Sequence, residues 1–241
     1  MGEGAARWRR AMIKLSGEAL MGSQTHGHDP ATLRRIAADL ASAARSDVQL
    51  AVVVGGGNFF RGAQGADKGV DRARADSIGM LATVMNALAL ERALEAEGQA
   101  TRAMSAVAMP TICETYSRQA ALTHLQKGRV VVLAGGTGAP FFTTDTGAAL
   151  RAAELGADVL LKATQVDGVY SADPRKTPDA KRYERLTHDE AIEKRLAVMD
   201  TAAFALAREN GLPIIVFALA GPHAIHDALT GAGRQTLVAP G

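Results

Sequence analysis

Residues 50–58 read Leu50-Ala51-Val52-Val53-Val54-Gly55-Gly56-Gly57-Asn58. Five apolar residues without alternation, three of them valine, run straight into three glycines. An uninterrupted β-branched run of this length is how a strand covered on both faces reads. The glycines give its end a turn without Cβ atoms. The pattern recurs at 11–15, 130–134, 159–161 and 214–219, with a weaker run at 100–104. Two of these runs also meet glycine: Lys14-Leu15-Ser16-Gly17-Glu18 closes the first, and Gly135-Gly136-Thr137-Gly138 follows 130–134. Segments of helical period lie between. In 29–45, Leu33, Ile36, Ala37 and Leu40 share a stripe, with Arg34, Arg35 and Asp39 off it. Segment 74–97 is rich in Ala, Leu and Met and stops at Gly98; 115–127 stops at Gly128; 143–155 stops at Gly156; 202–209 stops near Gly211, with Pro213 beyond. Strand and helix in alternation predict an α/β fold: an open, mainly parallel sheet with helices on both faces, in three αβα layers.

Composition narrows the class. The chain has 241 residues, 47% hydrophobic, with 27 Lys plus Arg against 25 Asp plus Glu, a net charge of +2. Such a chain can bury a full core unaided and is not disordered as a whole. A single cysteine makes neither an internal disulfide nor a Cys-rich zinc site. The small net charge is not the footprint of a nucleic-acid binder. No apolar stretch approaches the roughly 20 residues of a membrane span, and Lys14 cuts the first apolar run too early for a signal-peptide core. The expectation is a cytoplasmic protein without nucleic-acid or membrane partners. Residues 165–185 are polar, hold two prolines and show little apolar period. They read as an excursion from the sheet, not as an interdomain hinge.

The 25 glycines exceed average usage of about 7%, and they cluster where strands end. In open α/β sheets the ligand lies outside the carboxyl ends of the strands. Loops lacking Cβ atoms bring backbone N–H groups close to an anion there, and the following helix adds its N-terminal dipole. Three such loops at one edge predict a phosphate-binding rim. Lys14 stands inside an apolar strand, where an ammonium is costly unless paired, so it is read as functional. Arg61 follows the triple glycine closely enough to reach the same space. Asp145 and Asp76 stand near helix starts, where capping is the bland reading and orientation of Lys14 or of a ligand the sharp one. Pro140-Phe141-Phe142-Thr143-Thr144 sets two aromatic rings beside two hydroxyls and suits a pocket wall for a flat base.

Other residues read as structural. His26 and His28 are expected to be solvated in a polar loop, His223 and His226 to lie on the surface, Cys113 to be a small buried hydrophobe, and Met80 and Met85 to be core. There is no Gly-x-x-x-x-Gly-Lys-Ser/Thr loop. Phe60 and Phe141 stand where a dinucleotide fingerprint needs its third glycine. Cations and anion cradles without an evident nucleophile or base fit phosphoryl transfer, which is mostly positioning and charge neutralisation. A phosphate acceptor needs no general base, because a phosphomonoester is largely dianionic at neutral pH.

Several motifs together resemble the bacterial uridylate (UMP) kinases of the amino acid kinase superfamily. They are Lys14-Leu15-Ser16-Gly17-Glu18-Ala19-Leu20, Gly55-Gly56-Gly57-Asn58-Phe59-Phe60-Arg61-Gly62, Gly79-Met80-Leu81-Ala82-Thr83-Val84-Met85-Asn86, residues 137–145, and Asp167-Gly168-Val169-Tyr170 followed by Ala172-Asp173-Pro174. The resemblance covers nearly the whole chain in collinear order. It implies an amino acid kinase-like fold and ATP-dependent phosphorylation of UMP to UDP. It implies a single domain, residues 1–241, with an acceptor-binding lobe of about 1–160 and an ATP-binding lobe of about 161–241. By it, Lys14, Leu15, Ser16, Gly17, Gly57 and Arg61 hold the ATP phosphates, and Thr164, Tyr170 and Asp173 line the ATP side. Gly56, Asp76, Thr137, Gly138, Ala139, Pro140, Phe141, Phe142, Thr143 and Thr144 bind UMP. Lys14, Arg61 and Asp145 are catalytic, Asp145 orienting the lysine. Mg²⁺ is held mainly by the nucleotide phosphates, with no protein metal site. A homohexamer activated by GTP and inhibited by UTP is implied as well.

Three positions depart from the pattern. Ala139 replaces an Asn after Thr-Gly, Gln165 stands where Lys is frequent, and Ala218 replaces an Asn after the last apolar strand. Loop 22–28 also differs in composition. Two alternatives stand beside the leading reading: a sister kinase with another acceptor, and a non-catalytic nucleotide or oxyanion storage protein on the same fold.

Overall fold

The computed structural model describes residues 8–60, 71–196 and 198–241. Its elements run β1 (Arg10–Leu15), a 3₁₀ turn (Gly17–Leu20), α1 (Pro30–Ala44), β2 (Gln49–Val54), α2 (Arg72–Ala96), β3 (Thr101–Ser105), β4 (Glu114–Thr115), α3 (Arg118–Gln126), β5 (Val130–Ala134), α4 (Thr144–Leu155), β6 (Val159–Thr164), β7 (Val169–Tyr170), β8 (Arg182–Tyr183), β9 (Arg185–Thr187), α5 (His188–Glu193), α6 (Thr201–Glu209), β10 (Ile214–Ala218), α7 (Ala224–Thr230) and β11 (Gln235–Ala239). Among the described residues one sheet has the order β4-β3-β5-β2-β1-β6-β10-β11-β9. From β4 to β10 every pairing is parallel; β11 runs antiparallel to β10, and β9 parallel to β11. The carboxyl ends of the six longer parallel strands therefore share one edge, as the glycine pattern requires.

The unbroken apolar runs are split by the pleat between two cores. Ala11, Ile13, Leu15, Leu50, Val52, Val54, Val130, Val132, Val159 and Leu161 face one way, onto Ile36 and Leu40 of α1, Leu90 and Leu94 of α2, and Ile225 and Leu229 of α7. Met12, Ala51, Val53, Val131, Leu133 and Leu160 face the other way, onto Leu125 of α3, Ala148 and Ala152 of α4, Ala191 of α5 and Phe204 of α6. This is the three-layer arrangement expected.

Local signals set the helix ends. Asp29 caps α1 by accepting from the Thr32 N–H at 2.9 Å, with Pro30 in the first turn. Gly156 ends α4 at φ +62°, where a Cβ would be strained. The expected boundaries shift in two places. The run read as 159–161 continues through Thr164, and residues 114–115 form an edge strand ahead of a helix that starts only at Arg118. The polar excursion contains the small antiparallel pair β7–β8 and returns to the main sheet at β9. β11, α5 and α7 were not anticipated; each is short, and β11 is alternately buried and half-exposed rather than continuously apolar. Met85 is half exposed on α2 rather than core.

The first two glycine loops cross in direct contact. A Cβ on Gly17 would stand 2.5 Å from Asn58 Oδ1, 2.7 Å from the Gly55 carbonyl oxygen and 2.8 Å from the Gly57 nitrogen. Two of those neighbours are backbone and cannot swing aside. Gly17→Ala is expected to cost about 1–3 kcal/mol, read as a lower urea midpoint at unchanged slope. Gly79 of α2 has open space around its missing Cβ, so Gly79→Ala should stabilise by about 0.5–1 kcal/mol in the same assay.

Candidate functional site

β1 and β6 are neighbours in a register that sets Lys14 opposite Lys162. Both share the parity of Met12 and Leu160, so both emerge on the α4 face of the sheet. α4 begins above them, and Asp145 in its first turn reaches down between the two ammoniums. Lys14 Nζ lies 2.8 Å from Asp145 Oδ1, and Lys162 Nζ donates to Oδ1 and Oδ2 at 2.5 Å each. Lys14 is 7% and Lys162 8% exposed. Burial pushes the Asp145 carboxyl up, but the two lysines outweigh burial and hold it below the ordinary carboxylate range. Burial drives the Lys162 ammonium down to about 8, with Asp145 opposing the shift and Lys14 adding to it. Two cations on one carboxylate leave a surplus positive charge, poised for an anion.

The lysines open into a cleft of about 540 Å³, lined also by Ser16, Glu18, Thr164, Gln165, Arg175 and Leu219. It adjoins a second space of about 390 Å³ that shares Val166, Arg175 and Val198 with it and adds Tyr170, Asp173 and Lys194. The residues expected on the ATP side thus converge: Lys14, Ser16 and Thr164 on the first cleft, Tyr170 and Asp173 on the second. Their side chains are locally held. Thr164 Oγ1 donates to the Val166 carbonyl at 2.7 Å, and the Tyr170 hydroxyl donates to Asp167 Oδ1 at 2.5 Å. Leu15 is fully buried in the core and offers the cleft no side chain. Gly17 and Gly57 belong to the crossing of the first two loops, Gly57 against the Glu18 side chain. Arg61 lies outside the described residues.

A smaller cavity of about 120 Å³ is walled in part by Thr144, the first residue of α4. It is lined by Gly56, Asp76, Thr137, Ala139, Phe142 and Thr144 from the expected acceptor set, together with Phe60, Gly79, Met80 and Thr83. Gly138, Pro140, Phe141 and Thr143 are not part of that wall. Phe141 is 64% exposed with φ +73°, an uncommon conformation for a bulky residue. Its N–H donates to Asp76 Oδ2 at 2.8 Å, which also takes Arg72 Nε at 2.9 Å. Thr143 is the helix cap: its Oγ1 accepts from the N–H groups of Asp145 and Thr146 and donates to Asp200 Oδ2. Asp145 itself is not a cap.

Three residues that carried no individual role in the sequence hold this frame. Thr83 Oγ1 accepts from the Gly135 N–H at 2.7 Å, pinning the glycine loop after β5 to α2. Arg151 of α4 lies over the Tyr116 ring at 4.1 Å and pairs with Glu154 at 2.7 Å, and its guanidinium faces the Gly136 and Thr137 carbonyls at 3.4 Å from behind the loop. Asp200 caps α6 through the Ala203 N–H and binds Thr143 and Thr146 of α4 as well. Lys162 was missed for another reason. Val159-Leu160-Leu161-Lys162-Ala163-Thr164 repeats the design of Met12-Ile13-Lys14-Leu15-Ser16, a lysine inside an apolar strand, and stopping the run at Leu161 hid it.

Relatives align with this arrangement over nearly its full length. The family model described as "Amino acid kinase family" matches residues 9–218. The chain is 61% identical over 231 residues to the uridylate kinase of Azorhizobium caulinodans, covering 96% of this chain and 97% of that protein. It is 56% identical over 234 residues to the uridylate kinase of Paramagnetospirillum magneticum, covering 97% and 98%. Among solved structures, UMP kinase from Bacillus anthracis superposes with a TM-score of 0.92 at 36% identity over 96% of both chains. UMP kinase from Ureaplasma parvum gives 0.92 at 35% identity over 97% and 99%. By the family model over residues 9–218 and by relatives matched over nearly their full length, the chain belongs to the amino acid kinase family.

Proposed function

We propose that this chain transfers the terminal phosphoryl group of ATP to the phosphate of UMP, giving ADP and UDP. The observation that carries the proposal is the Lys14–Asp145–Lys162 cluster, whose two lysines line the large cleft while Thr144, the neighbour of Asp145, lines the small cavity. An oxygen of the UMP phosphate attacks the γ-phosphorus, and the bond from that phosphorus to the β-bridging oxygen breaks. The acceptor arrives already ionised, so no proton must be removed, and no side chain serves as nucleophile or base. Lys14 and Lys162 neutralise charge gathering on the transferred group and the leaving oxygen, and Asp145 keeps both ammoniums aimed at one point. The low polarity around them strengthens the attraction.

ATP takes the large cleft, its base toward Tyr170 and Asp173 and its phosphates at Lys14 and Ser16. UMP takes the small cavity, with Asp76 toward the ribose and Phe142 against the base. Ala139 offers no side-chain amide there, and the backbone of residues 135–139 with Thr137 supplies the polar edge. Mg²⁺, when bound, would be held mainly by the ATP phosphate oxygens and would offset part of their charge. Among the described residues no three His, Cys, Asp or Glu groups converge. The lobes divide near residue 160, with residues 14–19 reaching into the donor side. The proposal includes a cytoplasmic homohexamer responsive to GTP and UTP. The stripe Ile78, Leu81 and Met85 on α2, each more than a third exposed, suits a subunit contact. No helix among the described residues is long and apolar enough to cross a membrane.

Three outcomes test this. In a coupled ADP-release assay over a panel of acceptors, UMP should be the preferred substrate, and Lys14→Ala should lower kcat by about 100-fold or more with the fold retained by circular dichroism. Near wild-type turnover in the variant rejects the mechanism, and ligand retention without turnover in the wild type favours a storage role. Asp76→Asn should raise the KM for UMP about 10-fold or more with little change for ATP, by loss of a charged partner of the ribose hydroxyls; an effect confined to ATP rejects the assignment. The third concerns protons. Lys162 sits at about 8 in the empty site, and a polyphosphate must raise it. ATP binding at about pH 9 should therefore take up close to one proton that is not taken up at about pH 6.5, and affinity should fall as pH rises past 8. Calorimetry in two buffers of different ionisation enthalpy reads this directly, and Lys162→Met should abolish the difference.

A further inference from the structure

Two asparagines in the glycine-loop and α2 motifs, Asn58 and Asn86, have no part in the chemistry above. Both are buried, Asn86 completely. Their amides face each other in a reciprocal pair. Asn86 Nδ2 donates to Asn58 Oδ1 at 2.7 Å, and Asn58 Nδ2 donates to Asn86 Oδ1 at 2.9 Å. Asn86 Nδ2 also donates to the Gly55 carbonyl at 2.6 Å, and Asn86 Oδ1 accepts from His28 Nε2 at 2.6 Å. Asn58 Nδ2 donates to the Gly27 carbonyl at 2.9 Å, and the Gly27 N–H returns a bond to the Asn58 carbonyl at 2.9 Å. His28, expected to be solvated, instead packs edge-on to the Phe59 ring at 5.0 Å.

The network occupies a place where the loop proposed to hold the donor meets the elements proposed to hold the acceptor. Asn58 Oδ1 lies directly beneath Gly17 of the donor loop. Gly55 opens the loop whose next residue, Gly56, lines the acceptor cavity. Asn86 sits on α2 one turn beyond Thr83, and the same helix carries Asp76 and Gly79 in the acceptor wall. Asn86 lines neither the cleft nor the small cavity. Gly17 and Gly55–Gly57 have no side chains with which to fix their own spacing. A fully satisfied polar pair in a dry core holds one arrangement and penalises others, because any slip leaves a buried amide unpaired.

We propose that Asn86, with Asn58 and His28, is a positioning residue for phosphoryl transfer: it fixes the distance between the donor loop at Gly17 and the acceptor wall on α2. The proposal rests on the kinase reading above. Its effect falls on the approach of the two phosphates and not on the affinity of either nucleotide, and a misplacement of about 1 Å can cost 100-fold in rate.

The test is steady-state kinetics of the full chain with ATP and UMP, with thermal unfolding alongside. Asn86→Ala is expected to lower kcat by about 100-fold while both KM values stay within about threefold of wild type. Should Asn86→Ala fail to fold, the half-buried His28 decides. His28→Ala should lower kcat by about fivefold, and His28→Gln, which restores an N–H donor toward Asn86 Oδ1, should recover at least half of that loss. A folded Asn86→Ala protein with kcat within threefold of wild type overturns the proposal. So does a loss confined to melting temperature, a loss confined to KM, or a His28→Gln variant no better than His28→Ala. A wild-type chain that does not phosphorylate UMP would instead refute the function itself, and the two failures are therefore distinct.

Discussion

The arrangement depends on one buried carboxylate between two buried ammoniums. Lys14 and Lys162 come from adjacent parallel strands and would repel each other in a dry layer, and Asp145 makes their juxtaposition tolerable. Asp145 can do this only because α4 starts at that point, capped by Thr143 and tied through Thr143 and Thr146 to Asp200. The central strand pair, one helix N-terminus and a second helix cap are thus bound into a single electrostatic unit. Removing the carboxylate would leave two cations side by side under a helix start, whose partial charge is also positive.

Around that unit, glycine and amide divide the labour. The loops at the strand ends give up side chains and leave their backbone bare, with two loops in contact at Gly17 and Gly55–Gly57. Bare backbone positions nothing by itself, and rigidity comes from side chains one layer down. Thr83 holds Gly135, Arg151 stands behind Gly136 and Thr137, and the Asn58–Asn86 pair lies beneath the crossing. Helix α2 contributes to two of these three supports and also carries Asp76 in the wall of the small cavity.

The readable part of this design was the part encoded over short range. Short apolar runs without alternation gave β1, β2 and β5 to within a residue, because a strand covered on both faces has no polar period to obscure it. Glycine stops gave the C-terminal ends of α2, α3, α4 and α6 to within a residue. β11, α5 and α7 escaped because short elements are held by neighbours and not by their own pattern. Lys14 stood out as a charge in an apolar strand; Lys162 carried the same signal in a run cut short one residue before it. The His28 imidazole in a polar, glycine-rich loop reads as solvated, and only its meeting with Asn86, 58 residues away, makes it part of the interior.

Local sequence alone determined the alternation of strand and helix, the edge at which the glycine loops gather, and the presence of a cation where an apolar residue belongs. It could do so because periodicity, caps and Cβ-free turns act over a few residues. Tertiary structure alone decided which charges meet. Lys14, Asp145 and Lys162 are brought within hydrogen-bond reach by strand register and by the packing of α4, and Asn58, Asn86 and His28 by the crossing of two loops over α2. Those contacts join segments far apart along the chain, and their energies arise from burial and from partners that no single segment contains.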